Sequence, residues 1–332
     1  GISCSPRRAK GKKCYVVQVG IKDPDFKVLQ RQRKLETPTH LKSDLVRISM
    51  ELIRDKYPWV KLITLSENTG FCHAVNVGLD EVKNGSGTEC VFLLNNDTTI
   101  TPGTIEALEK RMGEDARIFS VQSRILSMKD HERIDDCGDL YCALGWAFAR
   151  GKGKTASGRY EAPDRIFAGC GASVLYRMSV FEETGVFDEE HFAYLEDIDL
   201  GYRARIYGYV NSYEPASVIY HAGSATSGSR YNRFKVDLSA QNSIYLIYKN
   251  MPLLQVILNL PFLAAGFLIK VLFFTLKGMG ATYLRGLGRG LAKSRRDAAQ
   301  GHAHKVKFRF INLGRYLRIQ LELWVNVVRR FI

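Results

Sequence analysis

The chain has 332 residues, 45% of them hydrophobic and 11% aromatic, enough for a packed core; a disordered chain is excluded, and so is a disulfide scaffold, since its seven cysteines form no CxxC pair. The net charge of +14 is uneven: residues 1–42 carry 11 basic and 3 acidic groups, residues 277–332 carry 13 and 2, and the stretch between is mildly acidic. Such basic ends suit a body held against a polyanion, either nucleic acid or an anionic membrane face.

From residue 43 the pattern alternates helix and strand. Ser43–Lys56 has helical periodicity and ends at a Tyr-Pro step, and Val60–Leu65 is a β-rich run. GFCHAVNVGLDEVKNGSG (70–87) reads as a second helix, ended by a Gly/Asn/Ser loop. TECVFLLNNDTTI (88–100) opens as a short continuous apolar strand, the kind buried in a parallel sheet, then turns polar. The next helix is predicted with Thr101 as its N-cap and Pro102 in its first position. Residues 145–165, rich in Gly, Lys and Ser, suit a flexible loop or hairpin. A further helix is predicted from Glu196 to about Tyr207, ended by Gly208.

MPLLQVILNLPFLAAGFLIKVLFFTL (251–276) carries a single charge, Lys270, and is long enough to cross a bilayer. Pro261 interrupts it, and Gln255 and Asn259 fall four apart on one helical face. Two interfacial or shallowly inserted helices are therefore expected in place of one span. Arg285, Arg289, Lys293, Arg295 and Arg296 then interleave with Leu and Tyr, as in a basic amphipathic surface helix; a solvated helical face is the plainer alternative. No apolar export signal opens the sequence, and the cysteines, Cys137 and Cys142 included, read as unpaired, so the cytoplasm is the expected compartment. The chain thus divides into an atypical basic N-terminal segment (1–42), an α/β body (43–250) and a membrane-associated helical extension (251–332).

Three features of the body carry chemistry. Asp97 follows a buried strand, where ligands of α/β sheets bind, and a carboxylate there can hold a hard divalent cation; alone, it also reads as a turn residue capping the next helix. Glu196 and Asp197 open a helix whose N-terminus favours an ionised carboxylate, as a general base requires; the alternative is an acidic first turn, with Asp199–Arg203 an ordinary i,i+4 pair. His221 sits in a Gly/Ser loop after a β-branched run and could complete a metal site, its nitrogen suiting Mn²⁺ better than Mg²⁺; lone histidines are also often incidental.

Four strings occur in order: ENTGFCHAVNVGL (67–79), VFLLNNDTTITPG (91–103), AGCGASVLYRMSVFEETGVFDEEHFAYLEDIDLGYRARIYGY (168–209) and YEPASVIYHAGSATSG (213–228). Together they resemble the inverting family 2 glycosyltransferases of the GT-A fold, in particular their rhamnosyltransferase-like branch, over roughly residues 45–250. The resemblance implies a nucleotide-sugar-binding sheet flanked by helices, a Mn²⁺ or Mg²⁺ cofactor, and Asp97 as the metal-binding acid beside Asn95 and Asn96. It further implies Gly70 and Asn76 lining the nucleotide-sugar pocket, Gly169, Cys170, Gly171 and Ala172 as the donor–acceptor loop, Asp197 as base beside Glu196, and His221 on the metal or diphosphate. The implied partners are a nucleotide-sugar donor and a lipid-linked glycan acceptor met at the inner face of the cell membrane. Nucleic acid is not an expected partner, because the basic residues interleave with Leu, Val and Phe and form no recognised nucleic-acid motif. The N-terminal region departs from the family pattern. CYVVQVG (14–20) stands where the first strand belongs, but DPDFKVL (23–29) runs into a basic stretch without the acid that would bind the nucleobase or ribose. A catalytically weak membrane-bound relative, acting as a binding or assembly component, is the alternative this departure raises.

Overall fold

The computed structural model describes residues 2–9, 12–19, 54–84, 87–222 and 231–331. Its strands, in chain order, are β1 (Ile2–Ala9), β2 (Lys12–Val19), β3 (Lys61–Ile63), β4 (Thr88–Asn95), β5 (Thr98–Ile100) and β6 (Ile118–Ser127). They continue with β7 (Ile134–Asp136), β8 (Asp139–Cys142), β9 (Trp146–Ala149), β10 (Asp164–Ile166), β11 (Ser173–Arg177) and β12 (Val210–His221). The longer helices are α1 (Phe71–Asn84), α2 (Thr104–Gly113), α3 (Glu196–Tyr207), α4 (Arg233–Asn250), α5 (Leu253–Leu276), α6 (Gly280–Ala299) and α7 (Leu313–Arg329).

The main sheet runs β10-β12-β6-β11-β4-β2-β1-β3, with β5 and β7 attached to β12 and β6. β2 is parallel to β4 and β6 to β12, while β11 lies antiparallel between β4 and β6. The carboxyl ends of β2, β4, β6 and β12 therefore share one edge with the amino end of β11. That edge is where an α/β sheet presents polar groups to a ligand.

The apolar run of β4 is a two-faced strand, as its sequence predicts. Val91 and Leu93 pack with Phe71, Val75 and Leu79 of α1, whereas Cys90, Phe92 and Leu94 pack with Ile105, Leu108 and Met112 of α2. Side chains alternate across a strand, so an unbroken apolar run serves two layers. The mixed α/β class is thus realised as a sheet flanked by helices. Cys14–Val19 of the CYVVQVG run form most of β2, and residues 145–165 include β9, which pairs with β8 as a hairpin. The predicted helix 43–56 is described only at its helical end, 54–56; the strand expected at 23–29 lies outside the described residues, as does Gly223–Gly228 of the fourth string.

Two local expectations are corrected. α2 begins at Thr104, with Gly103 at its N-cap at φ 82°, and not at a Thr101 cap with Pro102 inside. The Thr104 hydroxyl donates to the Thr101 carbonyl at 2.7 Å, and Thr101 and Thr104 hydroxyls both reach the Val218 carbonyl, so the threonines tie the turn to β12. The second concerns Pro261, which does not divide residues 253–276: α5 is one helix of 24 residues with Pro261 inside. The apolar residues on either side stay helical because one stripe, Gln255, Asn259, Leu263 and Gly266, is buried along its length. Asn259 both donates to and accepts from Gln320 of α7, at 2.9 and 2.8 Å, and also accepts from Trp324. Tertiary contacts of this kind outweigh one missing backbone bond.

Candidate active site at the carboxyl edge of the sheet

Asp97 leaves β4 two residues beyond its end, and His221 is the last residue of β12. β5 pairs with β12 so that Thr98 faces His221, and the Ala222 N–H donates to the Asp97 carbonyl at 3.0 Å. The side chains meet as well: His221 Nε2 is 3.2 Å from Asp97 Oδ1, and His221 Nδ1 is 2.8 Å from Asp135 Oδ2. Asp135, in β7, also receives Lys152 at 2.6 Å. Burial works against charge on the imidazole, but its two carboxylate partners outweigh that and raise it to about 9. Burial likewise works against the Asp135 carboxylate, and hydrogen bonds from His221 and Lys152 hold it below its usual value. A carboxylate oxygen facing an imidazole nitrogen whose other nitrogen is fixed by a second carboxylate is a donor set that fits a divalent cation. Its mixed oxygen and nitrogen character suits Mn²⁺ better than Mg²⁺.

A second acidic group lies beside the first. Ligating atoms of Asp136, Asp139 and Cys170 all fall within 4.8 Å of one another. Asp136 accepts from Gln122 at 3.0 Å and from the Gly138 N–H at 2.7 Å, yet burial raises it to about 6. Asp139 is pushed well above the carboxylate range by burial and by the negative charge of Asp136 and Asp197. It shares a hydrogen bond with Asp197, which also accepts from the backbone of Ile198 at 2.9 Å and from that of Gly171. The expectation that the helix N-terminus dominates at Asp197 is therefore corrected. Burial raises its pKa, and the backbone donors and Asp139 only partly offset this. Glu196 is buried, raised well above its usual value, and its Oε2 has no hydrogen-bond partner.

The approach to α3 is strained. Phe192, Tyr194 and Leu195 have φ of 60°, 69° and 66°, and such positions in non-glycine residues persist where the surroundings fix them. Three carbonyls of this turn, those of His191, Ala193 and Tyr194, accept from the buried Asn242 amide at 2.8–2.9 Å. α3 itself sits close to the loop before β11: a Cβ on Gly201 would fall 2.5 Å from that of Ala168. Its Asp199–Arg203 pair, expected to be ordinary, is buried and joined by Lys249 of α4, which bonds both Asp188 (2.6 Å) and Asp199 (2.9 Å).

The other residues named from sequence fall into two groups. Gly169 to Ala172 lie at the same edge: the Cys170 N–H donates to Gln122, the Asn95 N–H donates to the Ala172 carbonyl, and the Tyr176 hydroxyl donates to the Gly169 carbonyl. Asn96 is exposed next to Asp97. Gly70 and Asn76 instead meet the 187–192 segment. Asn76 spends its amide on Phe187 and Glu189, and Gly70, at φ 93°, approaches so closely that a Cβ would fall 2.6 Å from the Phe192 ring. Sequence reasoning missed Asp135, Asp136, Asp139 and Lys152. Their signal is the density of acids in DDCGD (135–139), ahead of the Gly/Lys-rich turn.

Residues 42–236 match the sequence model of the family described as "Glycosyltransferase like family 2", more than half of the chain. The chain belongs to this glycosyltransferase family. It is similar to the N-acetylglucosaminyl-diphospho-decaprenol L-rhamnosyltransferases of Mycobacterium tuberculosis strains CDC 1551 / Oshkosh and ATCC 25618 / H37Rv. With each it is 29% identical over 194 residues, covering 52% of this chain and 62% of the relative. The chain thus spans less than two thirds of these relatives' length. Among solved structures it is similar to GalNAc-T7 with UDP, GalNAc and Mn²⁺ (14% identity, TM-score 0.45, 64% of this chain and 40% of that one). It is also similar to the mannosyltransferase PcManGT from Pyrobaculum calidifontis with GDP-Man and Mn²⁺ (15% identity, TM-score 0.42, 87% and 73%).

Proposed function

We propose that this chain is a metal-dependent, inverting glycosyltransferase that moves a sugar, with rhamnose the leading candidate, from a nucleotide-sugar to a lipid-linked glycan acceptor. The observation that carries the reading is the facing of Asp97 Oδ1 and His221 Nε2, backed by Asp135, on the sheet edge that also holds Asp197. In this reading Asp97 and His221 hold the cation. When bound, the cation offsets the negative charge of the departing nucleoside diphosphate. A cation at Nε2 would displace the proton held there against Asp97, while Asp135, bonded at Nδ1, would keep the imidazole oriented toward it.

Asp197 is the base. It takes the proton of the acceptor hydroxyl as that oxygen bonds to the anomeric carbon, while the bond from that carbon to the diphosphate oxygen breaks and its electron pair leaves with the diphosphate. A single displacement inverts the anomeric centre. Asp139, kept protonated by burial and its acidic neighbours, donates to Asp197 and stabilises it as the anion. A carboxylate with a raised pKa is the stronger base, provided a partner keeps it ionised before reaction. Gly169–Ala172 fill the space between donor and acceptor.

The acceptor class is supported by the printed name of the 29%-identical relatives, and by the outer face of α5. Among the described residues, α5 is the one helix long and apolar enough to cross a membrane by length and composition, and little of it is buried. We place it in the cytoplasmic membrane interface, with 43–250 as the catalytic body and the basic α6 beside the anionic headgroups. Calorimetric titration of nucleotide-sugars, with and without Mn²⁺, tests the donor site. Metal-dependent binding of one donor, abolished by Asp97→Ala, is expected; metal-independent binding, or binding that survives the change, would remove the metal assignment.

A further inference from the structure

A groove of about 1410 Å³ lies between the β8–β9 hairpin and α5. Its lining includes Leu140 and Leu195, and Ile269 and Phe273 of α5 with Phe331. Its cations include Lys270, the single charge on α5, and Arg329 and Arg330 at the end of α7. Lys270 Nζ lies 5.7 Å from the Trp146 ring centroid, and Arg330 lies 5.6 Å from that of Phe148. Trp146 and Phe148 are two apart on β9 and so share a face, which brings both cations to one side of the hairpin. Trp146 also donates to the Gly266 carbonyl of α5 at 3.1 Å, fixing hairpin to helix.

No carboxylate pairs with Lys270, Arg329 or Arg330 among the described residues. Elsewhere in the groove Arg150 is paired with Asp164 and Lys152 with Asp135. Burial lowers the Lys270 ammonium to about 8, and Arg330 is near enough to add to the effect. Cations gathered against aromatic rings without counter-ions repel one another, and a bound anion of high charge removes that cost. Ile269 and Phe273, the α5 residues beside Lys270 in the groove, are apolar and exposed.

We infer that Lys270 and Arg330, set on Trp146 and Phe148, together with Arg329 in the same groove, form the receiving site for the diphosphate of a lipid-linked acceptor, whose hydrocarbon chain leaves along α5. The inference rests on the acceptor class proposed above and adds the place where that acceptor is held. The charges match: a diphosphate presents several negative oxygens at one end of an apolar chain, and the groove presents unpaired cations at one end of an apolar helix face.

Flotation of the full chain with phosphatidylcholine vesicles tests this. One set of vesicles is doped with a long-chain polyprenyl diphosphate, the other brought to the same surface charge with phosphatidylglycerol. The expected result is at least about tenfold tighter association with the diphosphate vesicles, the scale of one charge-assisted contact to a partly buried anion. The triple change Lys270→Gln, Arg329→Gln, Arg330→Gln removes that preference and leaves association equal for the two lipids. Arg330→Gln alone, at an exposed position, reduces the preference several-fold should the triple variant fold poorly. Equal association of the unaltered chain with both vesicle types overturns the inference, as does a preference that survives the substitutions. Inorganic pyrophosphate binding as tightly as the lipid would overturn the lipid as occupant. Donor titration on the same preparations separates the two readings: a lipid preference abolished by the substitutions, in a protein that binds no nucleotide-sugar, would sink the transferase and keep the anion site.

Discussion

Asp197 and Asp139 share a hydrogen bond on a buried edge, and their division of labour is set by surroundings and not by residue type. Asp197 receives the backbone of Ile198 and Gly171, while Asp139 sits among Asp136, Asp197 and Glu196 and keeps the proton. Asp197→Asn should cut turnover by about 10³-fold or more while donor affinity stays within experimental error, as expected for loss of a general base. Steady-state kinetics with parallel calorimetry checks this, and a fall in donor affinity would reassign the residue. Asp135 acts through His221. Asp135→Asn should weaken Mn²⁺ binding by about 10–100-fold without abolishing it, the usual cost of losing an outer partner of a ligating histidine. Unchanged affinity would mean that His221 is not oriented by this contact.

At the scale of elements, α3 is held by charge. Its Asp199 meets Arg203, Lys249 and Asn250, all buried, and Asp188 shares Lys249. Removing one partner strands the others, so Lys249→Met should cost about 3–5 kcal/mol of stability, measured by urea unfolding. The pH dependence follows in sign. Burial opposes ionisation of both acids, but Arg203 and Lys249 dominate at Asp199 and Lys249 at Asp188, and both carboxyls are held below their usual range. Their contribution is therefore complete above the unfolded carboxylate pKa of about 4 and is lost as pH falls below it. The Lys249→Met variant should show a shallower loss of stability between pH 5 and 3, pH values chosen about that pKa. α3 was legible as a helix from its acidic start and Gly208, and its Asp199–Arg203 spacing was legible as a pair. The burial of that pair was not, because Lys249 and Asp188 reach it from distant parts of the chain.

For the whole molecule, the helical extension packs onto the α/β body. Leu263, Tyr316, Ile319 and Leu323 join the same hydrophobic cluster as Tyr141, Phe167, Ile198 and Tyr202. Asn326 donates to the Tyr141 carbonyl, and Tyr202 donates to Gln255. A cut near residue 250 would expose this cluster, so the membrane contact is better tested on the outer face. Replacing the exposed Leu254, Ile257, Leu268 and Leu272 by Ser should reduce sedimentation with anionic vesicles by an order of magnitude or more, from about 1–3 kcal/mol per buried side chain. Thermal unfolding should change little. Vesicle binding that persists, and is insensitive to salt, would refute the interfacial placement.

What the sequence determined by itself is what depends on neighbours in the chain. The period of β4, the start and stop of α1 and α3, and the apolar length of α5 all follow from local patterning, and the four ordered strings were sufficient to indicate the family. The tertiary structure decided what depends on approach between distant segments. It faced Asp97 with His221 across a sheet register, set Asp135 behind the imidazole, and raised Asp197 by burial against the pull of its helix terminus. It kept α5 continuous through Pro261 by bonding Asn259 to Gln320. Local preferences amount to fractions of a kcal/mol to a few per residue, and burial with paired polar contacts exceeds them wherever the fold brings such groups together.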